Sequence, residues 1–107
     1  MTAKPDTTPT LACPACRARF PLPAIFDASD ASWPNQNWIG FDCPECGRFS
    51  HVALRAGQVD IGTIDGAPGP CFVSNESAAA PGLTIESRAR GISIRCGGRR
   101  WFVKAWE

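Results

Sequence analysis

The chain has 107 residues, of which 44% are hydrophobic and 20% charged, and its formal net charge is +1. This length and composition are those of one ordinary globular domain, which excludes a disordered or fibrous chain. No apolar stretch is long enough to span a bilayer, which excludes a transmembrane helix.

The first ten residues, MTAKPDTTPT, contain two prolines and four threonines and lack the apolar segment of a secretory signal. We therefore expect a disordered N-terminal lead-in over residues 1–10 and a cytoplasmic location. In a reducing compartment, paired cysteines are more often metal ligands or redox groups than structural disulfides.

Two cysteine pairs lie in residues 11–56, which we predict to form a zinc ribbon. Each pair has two residues between its cysteines, and 26 residues separate the pairs. Structural zinc takes four thiolates in a tetrahedron, and this spacing lets both thiolates of a pair reach one ion from a tight turn. The pattern predicts one Zn²⁺ per chain, bound by Cys13, Cys16, Cys43 and Cys46.

The residues around each pair suit such a turn, here called a knuckle. Pro14 and Pro44 follow the first cysteine of each pair and fix φ there. The residue after the second cysteine needs a positive φ, which Gly47 adopts freely. Arg17 holds that position in the first knuckle, where the left-handed conformation costs about 1 kcal/mol. Both turns are therefore compatible with a shared ion.

The segments CPACRARFPLP (13–23) and CPECGRF (43–49) resemble the small prokaryotic zinc ribbons of the pattern CPxCxxxFxxP…CPxCGxxF. The match covers residues 13–49, although Phe49 falls one residue early and the interval between the pairs is longer than in those ribbons. The resemblance implies metal binding but no particular function, because such ribbons occur in unrelated proteins. The matching residues are Cys13, Pro14, Cys16, Phe20, Pro23, Cys43, Pro44, Cys46 and Gly47.

Other chemistries remain as alternatives for the two pairs. They also resemble those of rubredoxin, an iron electron carrier, but Arg17 replaces its first glycine and the chain has no tyrosine. A thioredoxin-like dithiol needs a βαβ context that the sequence lacks. A disulfide framework is disfavoured without a secretory signal. Zinc is therefore the metal that the sequence favours.

Three further potential ligands are surplus, because structural zinc is four-coordinate. His51, the only histidine, is predicted to lie on the strand that leaves the second knuckle. Cys71 and Cys96 are predicted to be small buried apolar residues. A disulfide between them, or a second metal site with His51, is the alternative.

The remaining chain predicts a small all-β fold. One or two helical turns are predicted over 24–31. Residues 57–82 are rich in Gly, Pro, Ser and Ala, which predicts loops around short strands near 59–64 and 71–74. A further helical turn is predicted over 77–80. Residues 57–107 as a whole are expected to form antiparallel strands, as a small sheet or sandwich with long loops, packed on or beside the ribbon.

The C-terminal residues give the clearest strands. LTIES (83–87) and the residues on both sides of Gly97-Gly98 alternate apolar and polar side chains, and Gly-Gly is a favoured type I′ turn. This turn pairs Cys96 with Arg99, Ile94 with Trp101 and Ile92 with Val103. The predicted core face carries Ile92, Ile94, Trp101, Val103 and Ala105. The opposite face carries Arg95, Arg100, Phe102, Lys104 and Trp106.

No catalytic constellation stands out, since the single histidine and the scattered aspartates form no acid–base pair. A closed four-thiolate site also leaves no open position for a substrate. We therefore expect neither an enzyme nor a small-molecule substrate.

The basic and aromatic face suggests a macromolecular partner. Residues 88–107 carry six lysines and arginines against one glutamate. Because interfaces favour Trp and Arg, we expect an accessory or adaptor protein that docks on a larger protein assembly. The alternative is single-stranded nucleic acid, whose bases stack on aromatic rings. The simplest interpretation is a solvated face that keeps the sheet from aggregating. A net charge of +1 favours the protein partner over a polyanion.

Overall fold

The structure is a computed structural model that describes residues 9–65 and 71–106. These residues form β-strands and one short helix, α1 (Leu22–Asp27), which confirms the predicted all-β class. The strands are β1 (Thr10–Ala12), β2 (Arg19–Pro21), β3 (Ser29–Trp33), β4 (Trp38–Asp42), β5 (Phe49–Arg55), β6 (Gln58–Asp65), β7 (Cys71–Ala79), β8 (Thr84–Arg88), β9 (Gly91–Cys96) and β10 (Arg99–Lys104).

The described strands pair in three antiparallel sheets. Strands β1 and β2 form a two-stranded sheet, β3 to β7 form a five-stranded sheet in chain order, and β9 lies between β8 and β10 in the third. The predicted boundary after residue 56 falls in the turn between β5 and β6, which pair with each other. The second knuckle joins β4 to β5, so it lies within the five-stranded sheet.

The C-terminal hairpin has the predicted register. Gly97 and Gly98 have φ values of 60° and 80°, the left-handed values that a type I′ turn requires. The paired residues include Cys96 with Arg99, Ile94 with Trp101 and Ile92 with Val103. Alternation therefore sends successive side chains to the faces that the sequence predicted.

One hydrophobic core connects all three sheets and α1. Ile92, Ile94 and Val103 of the predicted core face are buried, whereas Trp101 is half-buried and packs edge-to-face on Phe26 of α1. Each fully buried side chain of this kind contributes about 1.5–3 kcal/mol. The core also contains Leu11, Leu22, Ile25, Ile39, Phe41, Val52, Leu54, Val59 and Ile61.

The third sheet meets the five-stranded sheet along β3 and the end of β10. The Ser32 hydroxyl donates a hydrogen bond of 2.7 Å to the carbonyl oxygen of Val103. The Trp106 N–H donates one of 2.8 Å to the carbonyl oxygen of Ser32, beside a parallel bridge between Ser32 and Ala105. Trp106 therefore lies where the outer faces of the two sheets meet.

The helical predictions were wrong in extent. Helix α1 begins at Leu22, where Pro23 in the first turn loses no hydrogen bond, and it ends before β3. The turn predicted over 77–80 is instead the end of β7, which pairs with β6 as far as Ala79. Sheet pairing overrides the helical preference of its alanines. The predicted lead-in lies outside the described residues except for Pro9 and Thr10, and Thr10 begins β1.

A buried carboxylate stabilises the turn between β5 and β6. Asp60 is only 3% exposed. It accepts hydrogen bonds from Gln58 Nε2 at 2.9 Å and Arg55 Nη2 at 3.1 Å. Burial acts to raise the pKa of Asp60, but the hydrogen bonds from Ser77, Gln58 and Arg55 outweigh it and lower the pKa. The ionised form is therefore the one that stabilises the fold.

We expect Asp60→Asn to lower the free energy of unfolding by about 1–3 kcal/mol at pH 7, because the buried acceptor loses its charge and one of its two oxygens becomes an NH2 group facing the donors Gln58 and Arg55. The pKa is lower in the folded than in the unfolded chain, so this contribution is present above about pH 4 and lost as pH falls through the folded pKa. Because acid also releases metals from thiolates, the free energies of unfolding of the wild type and the variant are compared at pH 7, by urea unfolding. Glu86→Gln, at an exposed ion pair with Arg88, is the control and should cost less than about 1 kcal/mol. Equal losses would contradict the expectation.

Candidate metal centre

Each cysteine pair occupies the turn of a β-hairpin. The first pair joins β1 to β2, and the second joins β4 to β5. Cys13 and Cys43 are buried in the core cluster, whereas Cys16 and Cys46 face solvent. The strands therefore present four thiols from two separate sheets.

The two knuckles have the same backbone hydrogen bonds. The carbonyl oxygen of Cys13 accepts from the N–H of Arg17 at 2.9 Å, and that of Cys43 accepts from the N–H of Gly47 at 2.8 Å. Arg17 and Gly47 have φ values of 68° and 74°, as the sequence predicted for the residue after the second cysteine. An arginine thus adopts a conformation that favours glycine, which is a local cost that the rest of the site must offset.

The four sulfur atoms form a compact cluster. Sγ of Cys13 lies 3.7 Å from Sγ of Cys46, and Sγ of Cys16 lies 3.7 Å from Sγ of Cys43. All four lie within 4.8 Å of one another. Metal–sulfur bonds of about 2.3 Å place the sulfurs of a regular tetrahedron about 3.8 Å apart, whereas a disulfide bond is about 2.05 Å long. The four thiols can therefore hold one metal ion, and none of them is in a disulfide.

Close packing of the thiols changes their acidity. The backbone hydrogen bond at Ala18 lowers the pKa of Cys16, but desolvation and the neighbouring thiols raise it to about 12. Burial acts to raise the pKa of Cys43, but hydrogen bonds at the backbone of Cys46 and Glu45 lower it to about 7. Four thiolates at this distance need a cation to stay ionised together. Metal binding at this cluster therefore releases protons.

The first knuckle is also attached through Glu76 of β7. The backbone N–H of Ala12 donates a hydrogen bond of 2.7 Å to Glu76 Oε1. Arg19 Nη2 lies 3.0 Å from Glu76 Oε2. The hydrogen bond from the Ala12 N–H lowers the pKa of Glu76 below its usual range, and the nearby Arg19 guanidinium lowers it further. A metal ion would thus be a second and stronger link between the β1–β2 hairpin and the five-stranded sheet.

The surplus ligands lie outside the cluster. His51 is half-buried on β5, as predicted, and is not a member of the four-cysteine group. Cys96 is half-buried against the core, whereas Cys71 is exposed at the start of β7. The prediction that Cys71 is buried is therefore wrong, because β7 is an edge strand whose side chains are largely in solvent. Both cysteines are free, so the alternative of a disulfide between them is not what the structure has.

The predicted partner-binding residues are all exposed. Arg95, Arg100 and Phe102 line a shallow cavity of about 410 Å³ on the outer face of the third sheet. Phe102 is 52% exposed and Trp106 is 66% exposed. Trp106 lies at the junction of the two sheets, stacked on Trp33 with ring centroids 6.4 Å apart. The docking face, defined as Arg95, Arg100, Phe102, Lys104 and Trp106, therefore extends from the third sheet to that junction.

The structure also contains a second cluster of side chains, which the sequence did not predict. Asp30, Asp42, Phe49 and His51 lie with two tryptophans on the outer face of the five-stranded sheet. Their one signal in the sequence is the presence of four tryptophans, two of which lie in this cluster. Their proximity depends on strand register and could not be obtained from spacing.

The two knuckles provide a matched pair of substitutions. Gly47→Ala places a Cβ in open space, with nothing within 4 Å, so its cost comes from the backbone alone and is about 1 kcal/mol. Arg17→Gly should act in the opposite sense and stabilise by less than about 1 kcal/mol, since relief of strain is partly offset by the entropy of glycine. Denaturant unfolding of the metal-loaded protein measures both. Destabilisation by Arg17→Gly would show that the arginine side chain contributes more than its backbone costs.

No helix in residues 9–65 or 71–106 is long and apolar enough to cross a membrane. Comparisons with protein-family models, curated proteins and solved structures give no significant match. The likeness to small zinc ribbons is thus one of motif, and function has to be inferred from the chain's own residues.

Proposed function

We propose that this chain is a zinc-binding adaptor protein, in which a structural Zn²⁺ holds the two knuckles together and the docking face binds a larger protein assembly. The observation that carries the zinc part is the cluster of four Sγ atoms within 4.8 Å, at distances close to those of a tetrathiolate site. The resemblance of residues 13–49 to small prokaryotic zinc ribbons supports the same metal.

Zinc is favoured over iron by the residues around the site. A tetrahedral set of four sulfurs suits either metal. The iron carrier rubredoxin, however, has glycine where this chain has Arg17, and the chain has no tyrosine. Zn²⁺ has no redox chemistry, which suits a site whose role is to link two sheets.

Elemental analysis tests the identity of the metal. Protein purified from its native cell should contain one zinc ion per chain and no iron, and its solution should be colourless. A red protein that contains iron and loses its visible absorption on reduction would instead support the rubredoxin-like electron carrier.

The four-thiolate set also supports a non-catalytic role. A catalytic zinc ion keeps one coordination position for water or substrate. Here four cysteine thiols lie close enough to fill a tetrahedral site. The proposed zinc is therefore a structural cross-link, which supports a chain that acts by binding rather than by catalysis.

The docking face has the composition of a protein interface. Phe102 is half exposed between basic side chains, and interfaces are enriched in aromatic residues and arginine. Among the described residues, Arg88 and Arg99 form ion pairs with acidic side chains, whereas neither Arg95 nor Arg100 lies within 4.0 Å of a carboxylate. These two arginines are available to an acidic partner.

Affinity purification with matched variants tests the docking role. Wild-type protein and Val73→Ala should retain the same partner protein, whereas Phe102→Ala should lose it. Val73 is 47% exposed on β7 and lies outside the docking face, so it controls for the loss of any exposed apolar side chain. Retention of the partner by Phe102→Ala would contradict the proposed face.

Single-stranded nucleic acid is the second candidate, because Arg95, Arg100 and Phe102 place cations beside an aromatic ring on one cavity. Titration of labelled single-stranded RNA and DNA at low and moderate salt distinguishes the two. Binding that weakens steeply with salt and disappears in the double variant Arg95→Glu, Arg100→Glu would replace the protein partner with a nucleic acid. A complex with a protein partner whose lifetime changes little with salt concentration would support the adaptor.

A further inference from the structure

The outer face of the five-stranded sheet carries an open cleft of about 520 Å³. This face is the one opposite the core, since Ile39, Phe41 and Val52 of the central strands point inward and are buried. The cleft is far from neutral in composition, because nearly every side chain that lines it is either aromatic or acidic. The lining residues are Asp30, Ala31, Trp33, Asp42, Phe49, His51 and Trp106.

Strand register brings these residues together. Asp42 of β4 pairs with Phe49 of β5, and Gly40 pairs with His51, so their side chains share one side of the sheet. The pairing of β3 with β4 shifts between Ser29 and Ala31, which leaves Asp30 as an extra residue in a β-bulge. Bulges redirect side chains, and this one allows Asp30 to line the cleft beside Asp42.

Aromatic rings form the walls of the cleft. The ring of Trp33 lies 5.0 Å from that of His51 and 6.2 Å from that of Phe49, between centroids. Phe49 and His51 stand perpendicular to each other at 5.0 Å. Trp106 stacks on Trp33, with ring centroids 6.4 Å apart. The rings thus pack on one another around the cleft, and Phe49 and Trp106 remain 46% and 66% exposed.

Gly40 determines where the Phe49 ring lies. A Cβ at position 40 would be 2.4 Å from Cζ of Phe49, a distance that side chains do not tolerate. The absence of a side chain therefore lets the ring lie across β4 and form a wall of the cleft. Any larger residue at position 40 would move the ring without removing it.

The lining of the cleft is acidic. Asp30 and Asp42 line it together, and none of the described lining residues is a lysine or an arginine. Burial lowers the pKa of His51, which favours the uncharged ring at neutral pH. Two neighbouring acids beside exposed aromatic rings lack a positive partner among the lining residues.

We propose that this cleft binds a small organic cation with a methylated ammonium group, such as a quaternary amine. The faces of tryptophan and phenylalanine attract cations within about 6 Å of the ring centroid, and the exposed carboxyl group of Asp30 adds charge complementarity. A quaternary ammonium carries its charge on an apolar surface, so it suits a site with aromatic walls and acidic neighbours. A neutral apolar ligand would cover the carboxyl groups without offsetting their charge.

The probe is tetramethylammonium, added to the full chain loaded with zinc at pH 7. Its binding is monitored by tryptophan fluorescence and by the NMR signals of the His51 ring. Choline should bind as well, whereas its neutral analogue of the same shape, 3,3-dimethyl-1-butanol, should bind at least about fivefold more weakly, because it lacks the charge. Equal binding of the neutral analogue, or no binding of tetramethylammonium at concentrations up to tens of millimolar, would overturn the proposal.

Two variants locate the site. Phe49→Leu should weaken binding by about threefold to thirtyfold through loss of one ring face, and Asp30→Asn should weaken it through loss of charge. Both residues are exposed, so the variants should keep the fold, which circular dichroism checks. Phe102→Leu, at a half-exposed phenylalanine on the third sheet, is the matched control and should bind normally. Normal binding by both Phe49→Leu and Asp30→Asn would overturn the proposal.

The cation site is independent of the docking role. Phe49 and Asp30 lie outside the docking face, and only Trp106 belongs to both. A variant that loses the cation but keeps the protein partner therefore separates the two proposals. Loss of the partner in Phe102→Ala with normal binding of tetramethylammonium would separate them in the other direction.

Discussion

Removal of the metal at pH 7 with a chelator is expected to unfold the ribbon and, with it, most of the domain. Structural zinc contributes about 10–16 kcal/mol in small peptides, and the total stability of a domain is about 5–15 kcal/mol. Cys13 and Cys43 are part of the core cluster, so loss of the ion removes a link from inside the core. Circular dichroism and tryptophan fluorescence should both change on chelation and return when zinc is added back.

A pair of cysteine variants separates loss of the metal from loss of a thiol. Cys46→Ser removes one ligand of the cluster and should abolish stable folding. Cys71→Ser changes a free cysteine that is exposed outside the cluster, and it should leave both metal content and stability unchanged. A folded protein without metal, or equal behaviour of the two variants, would show that the four thiols do not hold the structure together.

The metal cluster and the C-terminal hairpin could be predicted because local chemistry determines them. Two residues between cysteines, and a residue with positive φ after them, define a knuckle wherever it occurs in a fold. Gly97-Gly98 similarly fixes the register of β9 and β10. The conformation of each knuckle and of the hairpin depends only on neighbours in sequence, whereas the cluster of four thiols also needs the two knuckles, 26 residues apart, to meet at one ion.

The strands around the ribbon were harder to predict, because pairing with neighbouring strands determines which residues form them. Residues 24–31 have a helical composition, but the helix ends at Asp27 and β3 follows, because β3 pairs with β4. The alanines before residue 80 belong to β7 for the same reason. Strand propensity depends on cross-strand neighbours, and these neighbours are unknown until the topology is known.

The acidic and aromatic cleft was missed because it depends on both register and a bulge. Asp30, Asp42 and Trp106 are far apart in the sequence, and no spacing rule connects them. Gly40 appears in the sequence as an ordinary glycine in a strand, and only the position of Phe49 gives it a role. Sites on the face of a sheet are in this respect harder to predict than sites in a turn.

The second large effect is expected at Gly62 of β6. The pairing of β6 with β7 shifts between Ile61 and Gly62, and the two backbones approach closely there. A Cβ on residue 62 would lie 1.9 Å from the carbonyl oxygen of Val73 and 2.9 Å from its carbonyl carbon. These atoms belong to the backbone of β7, so they cannot rotate away as a side chain would.

Gly62→Ala should therefore separate β7 from β6 locally and cost about 3 kcal/mol, at the upper end of the range for overpacked sites. Gly57→Ala is the control. It adds a Cβ in open space at a φ of 77°, so it should cost only about 1 kcal/mol of backbone strain. Urea unfolding of both variants with the metal bound gives the two losses, and equal losses would show that β7 moves aside at little cost.

The effect of Gly62→Ala should extend to the metal centre. Glu76 follows the bulge on β7 and accepts hydrogen bonds from Ala12 and Arg19 of the first knuckle's hairpin. When β7 shifts, the β1–β2 hairpin loses this attachment and depends on the metal and its core contacts alone. We therefore expect Gly62→Ala to release zinc to a chelator faster than Gly57→Ala does. Equal rates of release would indicate that the four thiolates hold the first knuckle in place without help from β7.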